Sequence, residues 1–515
     1  MIEFINKLKR KNSLKSRFLS KLISNFIGTP IRVIIASLVP RALGMELYGT
    51  FNFLTESILG MINFLDFGLS SAFYTKLSMK DAKQSLIRFY WIIFLLTISL
   101  FLVFVSLLFI FDFRDLIWFD HKLSYILLAI VWAFLYRFHE IINKVIDAYS
   151  LTIQSEIAIS LKNLISLALV YLLFIYDKLN LWTFFMLQYF FFLFTIVLWW
   201  RILNKNGVRL LPSEKIPPDR LKKYITSFYE FSMPLFIASG PSFILLFLDR
   251  WILQKYAGSV GQGIFSLSFK VSVLCFLFTG AIIPLFTREI SRAHSYGDIK
   301  LMGNLYKKLV PMFYSISVCL GAFCFFNADK ITLIIGGEDF QAASISMAIM
   351  CLFPIHQTYG QLNSAIYFAR SETKQYRNIG LLGHFFGVFL TYVFIAPISH
   401  FGFNLGAVGL ALKMLIIQFI VQNIFLWYNS KYLNISYFYM LSHQIISIIL
   451  IGLCSWLVIS ITDIFIHNYI AAMIFSGILF LIVILVVIYF IPYIFSVNRN
   501  DLRENFGRIK DLLFG

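Results

Sequence analysis

Within residues 136–149, YRFHEIINKVIDAY, four ionisable side chains are spaced three, four and three apart: Arg137, Glu140, Lys144 and Asp147. On a helix this spacing places them on one face. Two compatible chemistries follow. One is a self-neutralising ladder of ion pairs that packs the face against a neighbour. The other is the wall of a polar cavity, with Arg137 as its exposed cation and Glu140 as a proton carrier. Further charges stand inside apolar runs: Arg32, Glu56, Lys270 and Lys413 deep within them, and Asp66, Glu156 and Lys162 nearer one end. An ionisable residue near a bilayer centre costs roughly 2.5–3.5 kcal/mol on insertion scales, so retained ones face a cavity or a partner. Arg32, Lys270 and Lys413 would make the middle of such a cavity cationic, which suits an anionic head group.

The elements that carry these residues follow from composition. The 515-residue chain is 59% hydrophobic and only 14% charged, against about 25% charged in soluble domains. Its apolar runs repeatedly reach the roughly 20 residues that cross a bilayer as a helix. Backbone groups in hydrocarbon must be satisfied within each segment, so the spans are helices. An all-α integral membrane protein with about fourteen spans is expected. The net charge of +18 does not indicate nucleic acid, because the cations cluster in short loops between apolar runs. The basic start followed by a long apolar run reads as a retained first helix and not a cleaved signal, since no small-residue cleavage site follows. The five cysteines all lie in apolar runs without metal-like spacing and read as packing residues. His356 and His384 could titrate near neutrality, and packing roles are expected for both.

The charge distribution orients the spans. With the N-terminus inside, the cytoplasmic segments carry 31 Lys and Arg and the outer segments seven, which gives both termini a cytoplasmic location. The expected organisation is a basic N-terminus at 1–17, an N-lobe at 18–203, a basic linker at 204–224, a C-lobe at 225–428, an extra helix pair at 437–495 and a cytoplasmic tail at 496–515.

The two lobes repeat a feature. Residues 43–56, LGMELYGTFNFLTE, and 257–270, AGSVGQGIFSLSFK, align without a gap at Gly44/Gly258, Gly49/Gly263 and Phe51/Phe265, and end on Glu56 and Lys270. Each is expected to be an outer turn leading into an inward-running helix, at 47–73 and 260–287. The preceding spans, 18–41 and 225–250, contain the breaks Gly28-Thr29-Pro30 and Ser239-Gly240-Pro241. Interrupted helices in corresponding places of two halves point to a transport site. Pseudo-symmetry would set Glu56 opposite Lys270, pairing when the outer side closes.

Motifs for enzymes fall short. His139-Glu140-Ile141-Ile142-Asn143 lacks the second histidine of HExxH, Gly261-Gln262-Gly263 completes no dinucleotide fingerprint, and no GxxxxGK[ST] occurs. No catalytic residue, metal or cofactor is expected. Any energy would come from an ion gradient, the substrate gradient or downstream consumption.

The run LVPRALGMELYGTFNFLTESILGMINFLDFGLSSAFYTKLS resembles the N-terminal signature of polysaccharide-export flippases, with its Arg-x-Leu-Gly, Tyr-Gly and Asp-x-Gly-Leu stretches. FLDRWILQKYAGSVGQGIFSLSFKV is similar to their second-half signature. The family is the Wzx-type O-antigen and capsule branch of the multidrug/oligosaccharidyl-lipid/polysaccharide (MOP) flippases. The resemblance implies two six-helix lobes, alternating access, a bacterial plasma-membrane location and an undecaprenyl-pyrophosphate-linked glycan as substrate, with a polymerase and a chain-length regulator as partners alongside membrane lipids. Arg32, Arg137, Lys270 and Lys413 would hold the pyrophosphate or acidic sugars. Glu56, Asp66, Glu140 and Asp147 would be coupling or gating acids, with H+ or Na+ as the ion. The fourteen spans depart from the twelve of many such members; the nearly apolar last pair resembles the lipid II flippase branch, where it helps form a groove for the lipid tail. A drug exporter of the same superfamily is the rival reading, although Arg32 in the first span argues for an anionic substrate. A polysaccharide polymerase is the weaker rival, because the outer loops are short and poor in arginine.

Overall fold

The computed structural model describes residues 14–79, 84–119, 121–211 and 216–497. Much of the basic N-terminus and of the tail expected from the sequence lies outside the described residues. Every described span is helical, as backbone groups in hydrocarbon require. The α-helices are α1 Leu14–Leu65, α2 Leu69–Leu77, α3 Ser85–Ile110, α4 Arg114–Trp118, α5 Leu123–Ala148, α6 Thr152–Ile175, α7 Leu181–Lys205, α8 Pro218–Leu274, α9 Leu277–Ser295, α10 Ile299–Phe326, α11 Ala328–Gly336, α12 Ser344–Ala369, α13 Thr373–Ile395, α14 Gly406–Tyr432, α15 Tyr437–Phe465 and α16 Tyr469–Phe490. Among the described residues nine of them are long and apolar enough to cross a membrane. The two arms of α1, the two arms of α8 and the 26-residue α12 complete fourteen spans. The protein is an all-α multi-pass membrane protein.

The expected outer turns are tighter than the sequence suggests. α1 and α8 each run as one helix through a single non-helical residue, Gly44 at φ 69°, ψ 174° and Gly258 at φ 62°, ψ −166°. Side chains with a Cβ rarely adopt this backbone conformation, so the aligned glycines are the hinge. The expected spans 47–73 and 260–287 are also broken lower down. The first stops at Leu65 and resumes at Leu69 after Gly68 in the left-handed region; the second stops at Leu274 and resumes at Leu277.

By contacts the chain divides into two compact units, Met1–Gly263 and Ile264–Gly515. The core of the first gathers Phe73, Tyr90, Trp91, Ile142, Trp199 and Phe228, with the Phe73 and Tyr90 rings stacked at 4.2 Å. Helix α8 joins this unit through its first arm, where Tyr224 bonds the Ser85 hydroxyl at 3.0 Å. The core of the second gathers Tyr306, Tyr314, Tyr359, Leu426, Ile451 and Phe480. Helices α15 and α16 bury Ser447, Ser455, Ala472 and Ser476, small residues of the kind that let membrane helices approach closely. Lys330 of α11 ties this pair down, donating to both carboxylate oxygens of Asp463 at 2.6 and 2.7 Å.

Candidate functional site

Helix α1 places two clusters in the first unit. The lower one begins where the helix stops. Asp66 follows the last turn, and its Oδ2 accepts from the Ser70 backbone N–H at 3.0 Å, capping α2. Its Oδ1 accepts from the Tyr90 hydroxyl at 3.2 Å and pairs with Arg137 Nη2 at 3.0 Å. Arg137 Nη1 reaches Glu140 Oε2 at 2.7 Å, and Glu140 Oε1 reaches Lys144 Nζ at 3.0 Å. Asp147 Oδ1 accepts from the Thr152 hydroxyl at 3.1 Å. The spacing in α5 therefore does produce a ladder over Arg137, Glu140 and Lys144, which continues to Asp66 in the break after α1, while Asp147 is bonded to Thr152 outside it. The exposed-cation reading of Arg137 is corrected: its side chain is only 5% exposed, and both terminal nitrogens are engaged by carboxylates. A buried guanidinium needs such partners, because removing one member leaves an uncompensated charge.

The upper cluster joins α1 to α6. Gly28 lets the helices approach: a Cβ there would lie 3.1 Å from Asn163 Nδ2 and 3.3 Å from Arg32 Nη1. Ser24 and Ser160 hydroxyls meet at 3.2 Å on the same seam. Arg32 is exposed and donates to the Thr29 hydroxyl at 2.9 Å. Lys162 is half-buried and within electrostatic reach of Arg32. Asn163 is buried, and its Nδ2 has no hydrogen-bond partner among the described residues. Neither cation is in an ion pair with an acid among the described residues. Two like charges beside an unsatisfied amide donor suit an anion with several oxygens, since charge-assisted hydrogen bonds are the strong ones. The sequence pointed to Arg32 and noted Lys162 without assigning it a role. Asn163 was missed; the only signal was a Lys-Asn pair inside an apolar run.

The remaining expected residues are dispersed. Glu56 pairs with Arg250 Nη2 at 2.8 Å. Arg250 Nη1 also donates to Gln262 Oε1 at 3.1 Å, and Gln262 Nε2 donates back to the Arg250 carbonyl at 2.6 Å. The physical reason is proximity. The repeated turns of α1 and α8 pack backbone against backbone, so that a Cβ on Gly49 would fall 1.7 Å from the Ser259 carbonyl oxygen, and one on Gly263 2.1 Å from that of Met45. This contact carries the Asp249-Arg250 end of the first α8 arm to Glu56. In the second unit Lys270 is exposed. Lys413 is 3% exposed and lies against Gly387, where an added Cβ would meet its Cε at 2.6 Å; the expectation of an open cation is corrected there. His356 packs between Tyr314 and Phe419.

A family model described as "Polysaccharide biosynthesis protein" matches residues 14–289. No curated protein sequence matches the chain significantly. Among solved structures, lipid II flippase MurJ in an inward closed conformation matches with a TM-score of 0.65 at 15% identity, over 90% of this chain and 97% of that one. An inward-facing multidrug resistance MATE family transporter of the MOP superfamily matches with a TM-score of 0.61 at 14% identity, over 80% and 94%. An outward-facing MATE transporter matches at 0.51 and 16%, over 82% and 96%. The fold is that of the MOP transporters.

Proposed function

Because the chain belongs to the polysaccharide biosynthesis protein family, we propose that it is a flippase carrying polyprenyl-pyrophosphate-linked oligosaccharide repeat units, of an O-antigen, capsule or exopolysaccharide, from the cytoplasmic to the outer leaflet of a bacterial plasma membrane by alternating access. The observation that carries this reading is the α1–α6 seam. Arg32 and Lys162 lie within electrostatic reach of each other without acidic partners among the described residues, and Asn163 offers a buried donor close to Arg32. A cation at membrane depth costs roughly 2.5–3.5 kcal/mol. Two left without a carboxylate make sense as ligands for a pyrophosphate, whose oxygens accept several charge-assisted bonds. A lipid II flippase sharing the fold supports a lipid-linked saccharide as cargo.

In this proposal Arg137 is a positioning residue: held by Asp66 and Glu140, it fixes the break between α1 and α2. Lys270 contributes an exposed cation in the second unit. Glu56, Asp66, Glu140 and Asp147 are the acids on which coupling to H+ or Na+ would act. A polymerase and a chain-length regulator would consume the delivered unit.

The test is the sidedness of polyprenyl-pyrophosphate-linked glycans in a deletion strain complemented with the parent, Arg32→Ala or Lys162→Ala. Complete units should accumulate in the inner leaflet of the deletion strain, and each variant should restore less than about a tenth of parental export at parental protein levels. Units that instead reach the outer leaflet unpolymerised would return the chain to the polymerase reading. An unchanged pool would move it to small-molecule export.

A further inference from the structure

In the first unit, α3, α5 and α7 leave a groove of about 940 Å³, at the upper end of the size of small-molecule sites. Trp91, Phe94 and Leu95 of α3 form one wall, and Val197 and Trp200 of α7 the other, with Phe138 of α5 between them. Leu95, Val197 and Trp200 are exposed on spanning helices, so the groove opens to lipid. Trp91 forms part of the wall because its indole N–H donates to the Leu210 carbonyl at 2.7 Å.

The two ends of the groove differ. Along α7 its lining runs from Ile196 to Asn204, eight residues on, about 12 Å at 1.5 Å per residue. That lies within one leaflet of a hydrocarbon core of about 30 Å. Its mouth is polar and basic. Gly207, at φ 74°, turns the chain off the end of α7, and Gln84 Nε2 donates to its carbonyl at 2.8 Å. Val208 and Leu210 then tuck into the core, which leaves Arg209 between them exposed and lining the mouth with Asn204. Arg201 and Lys205, each one residue on from a groove residue of α7, are exposed beside it.

An aromatic slot within one leaflet, under a cluster of cations, is complementary to a lipid with an anionic head. We propose that this groove binds an anionic phospholipid of the leaflet that the charge count assigns to the cytoplasm, its acyl chain between Trp91 and Trp200 and its phosphate at Arg209 and Asn204. Basic pockets between membrane helices on that side recognise such head groups. The site is separate from the α1–α6 seam and does not depend on what the protein carries.

The experiment is native mass spectrometry of the purified full-length protein, titrated with phosphatidylglycerol or phosphatidylcholine. One phosphatidylglycerol should be retained in preference to phosphatidylcholine, and Arg209→Gln should cut that preference about fivefold, the value of one interfacial cation. Val197→Trp, at a lipid-exposed position that folding does not require, should abolish retention of both lipids. An Arg209→Gln protein with undiminished preference would overturn the proposal. So would a Val197→Trp protein that still holds the lipid, or a polyprenyl phosphate that displaces phosphatidylglycerol at equal concentration and so claims the groove for a substrate tail.

Discussion

The buried polar groups of the first unit include charged ones: Asp66 and Arg137, paired at 3.0 Å and extended through the half-buried Glu140 to Lys144. The network that joins α10, α12 and α14 in the second unit is neutral. Tyr306 donates to Asn363 Oδ1, which also accepts from Asn429 Nδ2 at 3.1 Å, while Asn363 Nδ2 reaches the Gln422 carbonyl at 3.3 Å. Nearby, Ser317 and Thr358 hydroxyls meet at 2.7 Å, and His443 Nε2 lies 2.8 Å from the Ile494 carbonyl. Both arrangements pair polar groups where water is excluded, but they respond differently to loss of one member. A neutral partner left alone forfeits one hydrogen bond and its desolvation, whereas a charge left alone in a low dielectric forfeits several times as much. The charged network also spans a helix break, since Asp66 caps α2. The neutral one joins the continuous stretches of α10, α12 and α14. Stiffness at the break in the first unit thus rests on charge, and the neutral network holds α10, α12 and α14 with dipoles, the Lys330–Asp463 ion pair of the second unit lying outside it.

Arg137→Ala should be the most damaging single change, at about 3–5 kcal/mol, because it strands Asp66 and Glu140. Thermal unfolding of the purified protein in detergent would read it as a lowered midpoint, and Arg137→Met combined with Asp66→Leu should recover much of the loss. A single variant as stable as the parent would mean that the ladder is dispensable and the contrast with the second unit empty. Tyr306→Phe, in the neutral network, should cost about 1 kcal/mol in the same assay, since Asn363 Oδ1 keeps its bond from Asn429. A loss matching that of Arg137→Ala would erase the distinction. The smallest effect is expected for Glu56→Gln. Glu56 is 44% exposed in its pair with Arg250, and partly solvated pairs contribute about 0–1 kcal/mol. Raising the salt concentration should shrink the gap between parent and Glu56→Gln while leaving that for Arg137→Ala nearly intact, because buried pairs are screened far less.

The ladder shows how far reading along the chain could reach. Arg137, Glu140 and Lys144 are three and four residues apart on one helix, so their contacts were legible from helical periodicity. The partner that buries Arg137 is Asp66, 71 residues away in sequence, and no local signal selects it from the other acids. Gly44 and Gly258 were legible for a similar reason, since a glycine in a repeated turn announces a backbone conformation that the chain itself dictates. That Gly49 and Gly263 press backbone against backbone, and thereby bring Arg250 to Glu56, was not.

Class, helicity, number of spans and hinge residues follow from the chain alone, because transfer of side chains and backbone between water and hydrocarbon is a local energy that hydropathy and glycine placement express directly. Which charges are neutralised and which stay available is a property of pairs. Arg137 and Lys413 looked as open as Arg32 in the sequence, and Lys162 with Asn163 looked less important. Helix packing buried the first two, Arg137 between Asp66 and Glu140 and Lys413 against Gly387, and set Lys162 beside Arg32. Coulomb energy depends on distance and local dielectric, and both exist only once the helices have packed.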